Sequence, residues 1–353
     1  MKVCIAGEWC WDFYEKSLSN AFKYFGCETI QFQLNSAFKN FKYRDIPPVY
    51  NNFSSKLQYH FKMGPKVIEE NNKLIKCIEY NNPDILFLYN TQLILPKTLL
   101  RLKNAHPNLK VFQYSQDCAF SENHKMEWRH FRQCIPCVDC NFTVRKSDVS
   151  QFRKAGSKST QILEQFYDPY LDYPLNRDQI PSNFLCDVVF AGHYEDDLRS
   201  DVLEQLVRHG VDVRLYGGGW NYYNNKKSYF DVNKVKPAID REYQQAICGA
   251  KVALAFLSKL NNDNYTTRNF QIPALGVPMV AEASDDLANF FTRDSSVLFF
   301  KTADEAVEKT LKLLSDVDKR ENMIKNAKIE LNELKMSSLD RAHKILEIYK
   351  CMN

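Results

Sequence analysis

Short apolar runs alternate with amphipathic segments along the first half of the chain, which predicts an α/β fold. The predicted strands of this half are the runs 2–6, 28–32, 85–89, 110–114, 139–144 and 161–163. The segment 12–25 carries Phe22 and other apolar residues at helical spacing, and Gly26 ends it. Residues 33–62 show no period and are expected to be irregular. Strand–helix–strand alternation implies a parallel sheet with helices on both faces.

The same alternation starts again at residue 186. The predicted strands of the second half are 186–191, 212–216, 251–256, 278–281 and 296–299. Between the halves, 167–185 lacks periodicity and is predicted to be a linker. The charged tail from Ala303 is expected to form two or three helices, and 339–349 carries an apolar stripe along its helix. The pattern therefore predicts two Rossmann-type domains, with ligands at the carboxyl ends of the strands.

Composition agrees with a two-domain globular protein, because 353 residues contain 44% apolar and 25% charged side chains. The net charge of +4 is too weak to indicate a nucleic-acid partner. No apolar run approaches the ~20 residues that span a bilayer, and the N-terminal run is too short for a signal peptide. We expect a cytoplasmic protein with its eleven cysteines reduced. Oligomeric state stays open.

Two glycine turns follow predicted strands. Gly192, with His193 after it, follows 186–191, and Gly217 opens a run of three glycines after 212–216. Glycine lets the backbone approach a ligand closely, and a helix N-terminus attracts phosphate. Tight turns without a ligand are the alternative explanation for both positions.

The segment 264–282 is the most informative. Thr266 or Thr267 is expected to cap a short helix, and Arg268 lies in its first turn, where a cation opposes the helix dipole. The arginine becomes favourable if a diphosphate occupies that helix end. The next strand carries Glu282 at its carboxyl end, where a carboxylate can hold sugar hydroxyls. Surface ion pairs are the alternative for Arg268 and Glu282.

The sequence TRNFQIPALG at 267–276 resembles the T-R-x-F-E-I-P-A-x-G signature of CgeB-like (spore maturation protein-like) glycosyltransferases. The similarity covers about 186–350. Gln271 stands where the family usually has glutamate, and Leu275 where it usually has cysteine. We expect Gln271 to help position Arg268.

This resemblance implies a GT-B glycosyltransferase: two Rossmann-type parallel-sheet domains facing a central cleft, with a C-terminal helix crossing back to the N-terminal domain. The implied organisation is an acceptor domain 1–166, a linker 167–185, a nucleotide-sugar domain 186–335 and a returning helix 336–353. It implies donor-site roles for Gly192, Thr267, Arg268 and Glu282. We include His193, Gly217, Tyr265 and Thr266 with them as neighbours in the same motifs.

Such enzymes usually need no metal, because a helix dipole and a cation neutralise the leaving diphosphate. No D-x-D is placed here as a metal motif, and we expect no cofactor beyond a nucleotide-sugar co-substrate, with UDP-sugar as the best guess. A general base should come from the N-terminal domain. Asp117, after the strand 110–114, ranks first, ahead of Glu8, Asp12 and His124.

Three cysteines are spaced as Cys-x-x-Cys-x-x-Cys at Cys134, Cys137 and Cys140. That spacing suits zinc or an iron–sulfur cluster. We favour the alternative that these are small core residues, because Cys140 falls in a predicted strand.

The sequence thus predicts a sugar transferase with a glycan, lipid-linked saccharide or protein as acceptor, in the cytoplasm or at the inner face of the membrane through a peripheral contact. One alternative is a nucleotide-sugar epimerase. Another is a catalytically silent transferase-fold protein in cell-surface or spore-coat assembly, for which Gln271 and the single Asp117 are the support.

Overall fold

A computed structural model describes residues 1–40, 49–122, 125–223, 225 and 228–352. Its strands, in chain order, are β1 (Lys2–Gly7), β2 (Glu28–Gln33), β3 (Lys39–Asn40), β4 (Val49–Tyr50), β5 (Ile85–Tyr89), β6 (Lys110–Ser115), β7 (Cys140–Thr143), β8 (Thr160–Ile162), β9 (Cys186–Ala191), β10 (Val213–Tyr216), β11 (Ala250–Ala255), β12 (Met279–Glu282) and β13 (Val297–Phe300).

The helices are α1 (Ser17–Tyr24), α2 (Phe53–Phe61), α3 (Pro65–Asn81), α4 (Pro96–Ala105), α5 (Arg129–Cys134), α6 (Val149–Lys154), α7 (Leu198–Arg208), α8 (Arg241–Cys248), α9 (Arg268–Ala274), α10 (Asp285–Ala288), α11 (Ala303–Ser315), α12 (Val317–Leu334) and α13 (Ser338–Lys350). A π-helical turn, Asp12–Lys16, leads into α1. The chain forms two compact units: unit 1 is Met1–Glu164 with Ser338–Asn353, and unit 2 is Gln165–Ser337.

Unit 1 contains a six-stranded sheet in the order β2-β1-β5-β6-β7-β8, and every neighbouring pair is parallel. The chain runs from β1 outward to β2 and then returns to the other side of β1 for β5. The strand order therefore reverses between β1 and β5, and a crevice for ligands is expected at the carboxyl ends there.

Helix α13 packs on the sheet of unit 1 although it lies at the other end of the sequence. Its Ala342, Ile345 and Leu346 are buried with Val3 and Leu18 of that core. This helix is the C-terminal return to the N-terminal domain that the sequence predicts. Burial of its apolar stripe removes it from water, which is what holds it there.

Unit 2 contains a five-stranded parallel sheet in the order β10-β9-β11-β12-β13. Its two faces are covered by separate apolar clusters, one around Phe270 and one around Phe190. The strand order reverses between β9 and β11, so the second expected ligand crevice lies at the carboxyl ends of these two strands.

The predicted fold class is confirmed, and each predicted strand lies within one residue of its observed bounds. Helix α2 was not predicted, because it falls in the segment 33–62 that was expected to be irregular. Its apolar residues Phe53, Leu57 and Phe61 are four residues apart but all exposed. The predicted linker 167–185 belongs to unit 2, where Asp172 and Ile180 are buried. The pair Pro47 and Pro48 lies outside the described residues.

Candidate active site

A cavity of about 290 Å³ opens in unit 1 at the carboxyl ends of its strands. Its walls include Glu8 after β1, Asn35 after β2, Asn90 and Thr91 after β5, and Asp117 after β6. These strands flank the point where the strand order of this sheet reverses. The cavity therefore occupies the position at which parallel sheets bind their ligands.

Asp117 lies in this cavity with a fixed orientation. The Nδ2 of Asn90 donates to its Oδ2 at 2.9 Å. Asn90 is held in turn, since its Oδ1 accepts the Gln116 N–H at 3.2 Å and its own N–H donates to the Tyr114 carbonyl at 2.9 Å. One acceptor oxygen of the Asp117 carboxylate is thus aligned by a donor, as a general base requires.

Glu8 is the second carboxylate that the sequence singled out in this cavity. It accepts from the Tyr59 hydroxyl at 3.3 Å and from the Asn35 amide, and the Lys39 Nζ lies 3.7 Å away. Asp12 is not among the lining residues and pairs with Lys16 at 2.6 Å instead. His124 lies outside the described residues.

Glu15 is a lining residue that the sequence did not indicate. Only 4% of it is exposed, and its Oε1 accepts the backbone N–H of Glu8 at 2.9 Å. Burial raises the pKa of Glu15 to about 7, although backbone hydrogen bonds oppose the rise. A Cβ at Gly7 would lie 2.3 Å from this oxygen, so the turn after β1 accommodates Glu15 only with glycine at that position.

In unit 2, Arg199 joins the loops that follow β9 and β11. It is 3% exposed, and its Nη1 and Nη2 donate to the carbonyls of His193 at 2.6 Å and Leu257 at 3.1 Å. Its Nε pairs with Asp197 at 2.7 Å. Arg199 therefore fixes the two loops at the reversal point of the unit 2 sheet.

Gly192 and Gly217 form the backbone packing of this edge. Gly217 has φ +146°, and a Cβ there would lie 1.9 Å from the Gly192 carbonyl oxygen. That oxygen also accepts from Trp220 Nε1 at 3.0 Å. Packing against the Gly192 carbonyl accounts for glycine at 217, whereas a Cβ at Gly192 would lie 2.5 Å from the Phe190 ring.

Arg268 is the first residue of α9, as the sequence predicts. Its Nε is buried, and no described residue accepts a hydrogen bond from it. Loss of hydration at His193, together with the charge of Arg268, lowers the pKa of that imidazole. The two side chains are thus electrostatic neighbours at the carboxyl edge of the unit 2 sheet.

Among the described residues, neither predicted threonine caps α9 with its side chain. Thr267 precedes the helix, but its Oγ1 donates to Gln165 at 2.8 Å. The backbone N–H of Thr266 donates instead to Asn269 Oδ1 at 2.7 Å. Tyr265 packs edge-on against Phe270 with ring centroids 5.9 Å apart, so its ring belongs to the apolar core.

Glu282 ends β12, and its side chain is almost fully buried. Its Oε2 accepts the Leu257 N–H at 2.9 Å, and its Oε1 pairs with the Lys259 ammonium. The carboxylate therefore joins β12 to the loop after β11, next to the loops that Arg199 holds.

Gln271 has a different partner from the one expected. Its Nε2 donates to the Asp172 carboxylate at 3.2 and 3.3 Å, and the described residues show no hydrogen bond between Gln271 and Arg268.

None of the three spaced cysteines lines the unit 1 cavity. Cys134 is buried and its Sγ donates to the Ile94 carbonyl at 3.3 Å, while Cys140 lies within β7 as predicted. The described residues contain no group of three His, Cys, Asp or Glu side chains placed to hold a metal ion.

Comparison with known proteins agrees with this architecture. Residues 199–347 match the family model described as glycosyl transferase-like. No curated protein matches the chain. Among solved structures, sucrose-phosphate synthase from Thermosynechococcus elongatus gives a TM-score of 0.64 at 13% identity, over 100% of this chain and 99% of that chain. HepE from Anabaena, in complex with UDP-glucose, gives 0.64 at 12% identity, over 99% of this chain and 100% of that chain.

A putative UDP-N-acetylglucosamine 2-epimerase from Listeria monocytogenes is also similar, with a TM-score of 0.55 at 12% identity over 98% of this chain and 94% of that chain. At these identities the structural likeness shows the fold, which is the GT-B fold of two Rossmann-type units. The family match lies almost entirely within unit 2, which is Gln165–Ser337, and extends into α13. Among its described helices, none has the length and apolar character that crossing a bilayer requires.

Proposed function

We propose that the protein transfers a sugar from a nucleoside-diphosphate donor, with a UDP-sugar as the best candidate, to an acceptor hydroxyl. The acceptor is a glycan, a lipid-linked saccharide or a protein. Unit 2 binds the donor and unit 1 binds the acceptor. HepE, whose structure was solved with UDP-glucose, has the same fold and supports the donor class.

One observation carries this proposal: the guanidinium of Arg268 has a buried Nε with no partner among the described residues. An unpaired donor on a charged group is costly, and a diphosphate oxygen is its natural acceptor. Arg268 also lies within the segment that matches the transferase family model. His193 is beside it, and the lowered pKa of His193 favours a neutral imidazole. That ring can donate or accept a hydrogen bond with the nucleotide-sugar.

In this mechanism Arg268 neutralises the charge that develops on the leaving diphosphate, a role that a divalent ion plays in metal-dependent transferases. We therefore expect turnover to survive treatment with EDTA. Glu282 orients the ribose or the donor sugar. Asp117, aligned by Asn90, takes the proton from the acceptor hydroxyl, and Glu8 is the second candidate for that base.

The test is calorimetric titration of UDP, GDP, dTDP, CMP and their sugars into wild type, Arg268→Ala and Arg268→Lys. A charge-assisted contact contributes about 1.5–3 kcal/mol, so we expect Arg268→Ala to weaken the preferred nucleotide about tenfold or more. Arg214→Ala, which removes an exposed arginine of unit 2 paired with Asp212, is the matched control. Failure of every nucleotide to bind a folded sample would exclude the transferase and the epimerase together.

Product analysis without an acceptor separates those two enzymes. An epimerase converts the nucleotide-sugar by itself, whereas a transferase needs an acceptor hydroxyl. We expect the donor sugar to keep its configuration until an acceptor is added.

A further inference from the structure

We propose that the unit 1 cavity is a subsite for a single uncharged or amino-bearing sugar ring, and that it rejects sugar phosphates. As a statement about the acceptor, this inference rests on the proposed function. Sugar binding to the cavity can nevertheless be measured without any transfer, so the two proposals fail separately.

Thr91 is the first observation. It lines the cavity and is 3% exposed, and its Oγ1 has no hydrogen-bond partner in the part of the chain that the structure describes. A buried hydroxyl without a partner is unfavourable, so native sites of this kind are completed by a ligand or a water. A hydroxyl-rich ligand in the cavity supplies that partner.

The remaining wall has the chemistry that a sugar ring needs. Trp11 and Tyr14 are partly exposed and offer aromatic surface for the apolar face of a ring, and the amides of Asn90 and Gln116 line the same cavity. Gln116 itself bridges the hydroxyls of Tyr14, at 3.0 Å, and Tyr89, at 3.4 Å. Rigid aromatics with a few oriented polar groups are typical of a specific small-molecule site.

The charge of the wall decides which sugars fit. Its carboxyl groups are Glu8, Glu15, Asp117 and Glu127, and Lys39 is the cation among the lining residues. Lys39 is already engaged, since it lies 3.7 Å from Glu8 and 4.1 Å from the centre of the Tyr59 ring. Burial raises the pKa of Glu15 to about 7, so that group can also donate. The other carboxylates accept hydrogen bonds, so they select ligands that donate, such as hydroxyl or ammonium groups.

A phosphate ester is the opposite of such a ligand. It carries about −1.5 to −2 charge at neutral pH and offers acceptor oxygens to a wall that already accepts. Like charges brought together in a site repel each other and weaken binding. The cavity of about 290 Å³ also lies just below the range of about 300–1,000 Å³ for ligand pockets, which suits one ring.

The binding test uses the full-length chain, with and without UDP, and ligand-observed NMR. The probes are glucose, galactose, mannose, N-acetylglucosamine and glucosamine, each beside its 6-phosphate. We expect at least one parent sugar to bind at millimolar concentration, and its ester to bind about tenfold more weakly or worse. An ester that binds as tightly as its parent sugar, or the absence of binding by all five parents, overturns the inference.

Variants locate the binding. Thr91→Val keeps the shape but removes the hydroxyl, and we expect two- to tenfold weaker sugar binding, as roughly the loss of one hydrogen bond; Thr91→Ser should retain affinity. Thr98→Val, a buried threonine of the same unit outside the cavity wall, is the control. Asp117→Asn removes one negative charge from the wall, so we expect a smaller difference in affinity between a sugar and its 6-phosphate.

Three outcomes decide between this inference and the proposed function. If a nucleotide binds through Arg268 but no sugar binds, the subsite is wrong and the donor site stands. If a folded Thr91→Val variant binds sugar like wild type, the sugar lies elsewhere and the subsite is wrong as well. If a sugar binds through Thr91 and no nucleotide binds, the subsite stands and the transferase proposal fails.

Discussion

The amide of Gln271 faces the carboxylate of Asp172, with its Nε2 3.2 and 3.3 Å from the two oxygens. Both residues are buried within unit 2. Burial raises the pKa of Asp172 to about 7, and the hydrogen bonds to this carboxylate oppose the rise. In CgeB-like proteins, which the sequence resembles, glutamate is usual at position 271. A glutamate at this position would place two carboxylates in contact, where they would repel each other. Glutamine instead donates a hydrogen bond to Asp172.

Gln271→Glu is therefore expected to destabilise the protein in a pH-dependent way. At pH 8 two buried carboxylates face each other, and we expect the free energy of unfolding to fall by about 1–3 kcal/mol. At pH 5 one carboxyl group is protonated and donates to the other, so the loss should be smaller. Urea unfolding at both pH values measures this.

The double variant Gln271→Glu with Asp172→Asn exchanges the amide and the carboxylate. We expect it to recover most of the loss, which is a coupling that a double-mutant cycle detects. An equal loss at both pH values, or no recovery in the double variant, would contradict the contact.

Glu15 should make the stability of the protein fall as pH rises. Its folded-state pKa of about 7 lies above the ordinary 4.5, so the folded state binds the proton more tightly. The stabilisation is complete below about 4.5 and is lost as pH rises to about 7. Glu15→Gln keeps an acceptor for the Glu8 N–H but cannot ionise. As pH rises across this window, we expect its free energy of unfolding to increase by about 3 kcal/mol relative to wild type. Urea unfolding at several pH values measures this.

Glu69→Gln is the control for that experiment. Glu69 is exposed on α3 and pairs with Lys73 at 2.8 Å, which lowers its pKa. A lowered pKa acts in the opposite direction and below the ordinary value of 4.5, so the difference in stability between the control and wild type should stay nearly flat above that pH. A flat difference in stability between Glu15→Gln and wild type across this range of pH would mean that folding does not raise the pKa of Glu15.

Gly217→Ala should destabilise unit 2 more than an alanine at another positive-φ glycine. The new Cβ would lie 1.9 Å from the Gly192 carbonyl oxygen, and the backbone at φ +146° also disfavours it. We expect a loss of about 3 kcal/mol or more in chemical unfolding. Gly210→Ala, at φ +81° with open space around its Cβ, should cost only about 1–2 kcal/mol. Equal losses would show that the turns after β9 and β10 do not touch.

The sequence predicted features set by local periodicity, and it missed those set by contacts between distant segments. The position of Asp117 after β6, and of Arg268 at the start of α9, follows from apolar runs and from the βα order alone. The burial of Glu15 could not be predicted, because glutamate in a helical segment usually faces water. The partner of Gln271 lies 99 residues away in a segment without periodicity.

The two glycine turns show the same limit from the other side. Glycine after a strand predicts a close backbone approach, which is what Gly217 makes. The pattern cannot say whether a ligand or another loop approaches. Here the neighbouring carbonyl of Gly192 fills the space, and only the packed chain shows it.

Asp117→Asn tests the catalytic base. The asparagine has the same shape and can still accept from Asn90, so the cavity should keep its structure. Loss of a general base lowers turnover by about 10²- to 10⁴-fold, and we expect kcat to fall in that range while the affinity for the donor nucleotide stays within about twofold of wild type. Steady-state kinetics with a UDP-sugar and a sugar acceptor measure the first, and calorimetry measures the second.

Variants of two further carboxylates serve as the control and as the test of the other candidate base. Asp12→Asn removes an acid that pairs with Lys16 outside the cavity wall, so its kcat should match wild type. Glu8→Gln changes the other candidate base. Glu8 accepts hydrogen bonds from Tyr59 and Asn35 and lies beside Lys39. These groups compete with the hydroxyl proton of the acceptor sugar for the Glu8 carboxylate. We therefore expect a smaller loss in Glu8→Gln than in Asp117→Asn, and the reverse order would assign the base to Glu8.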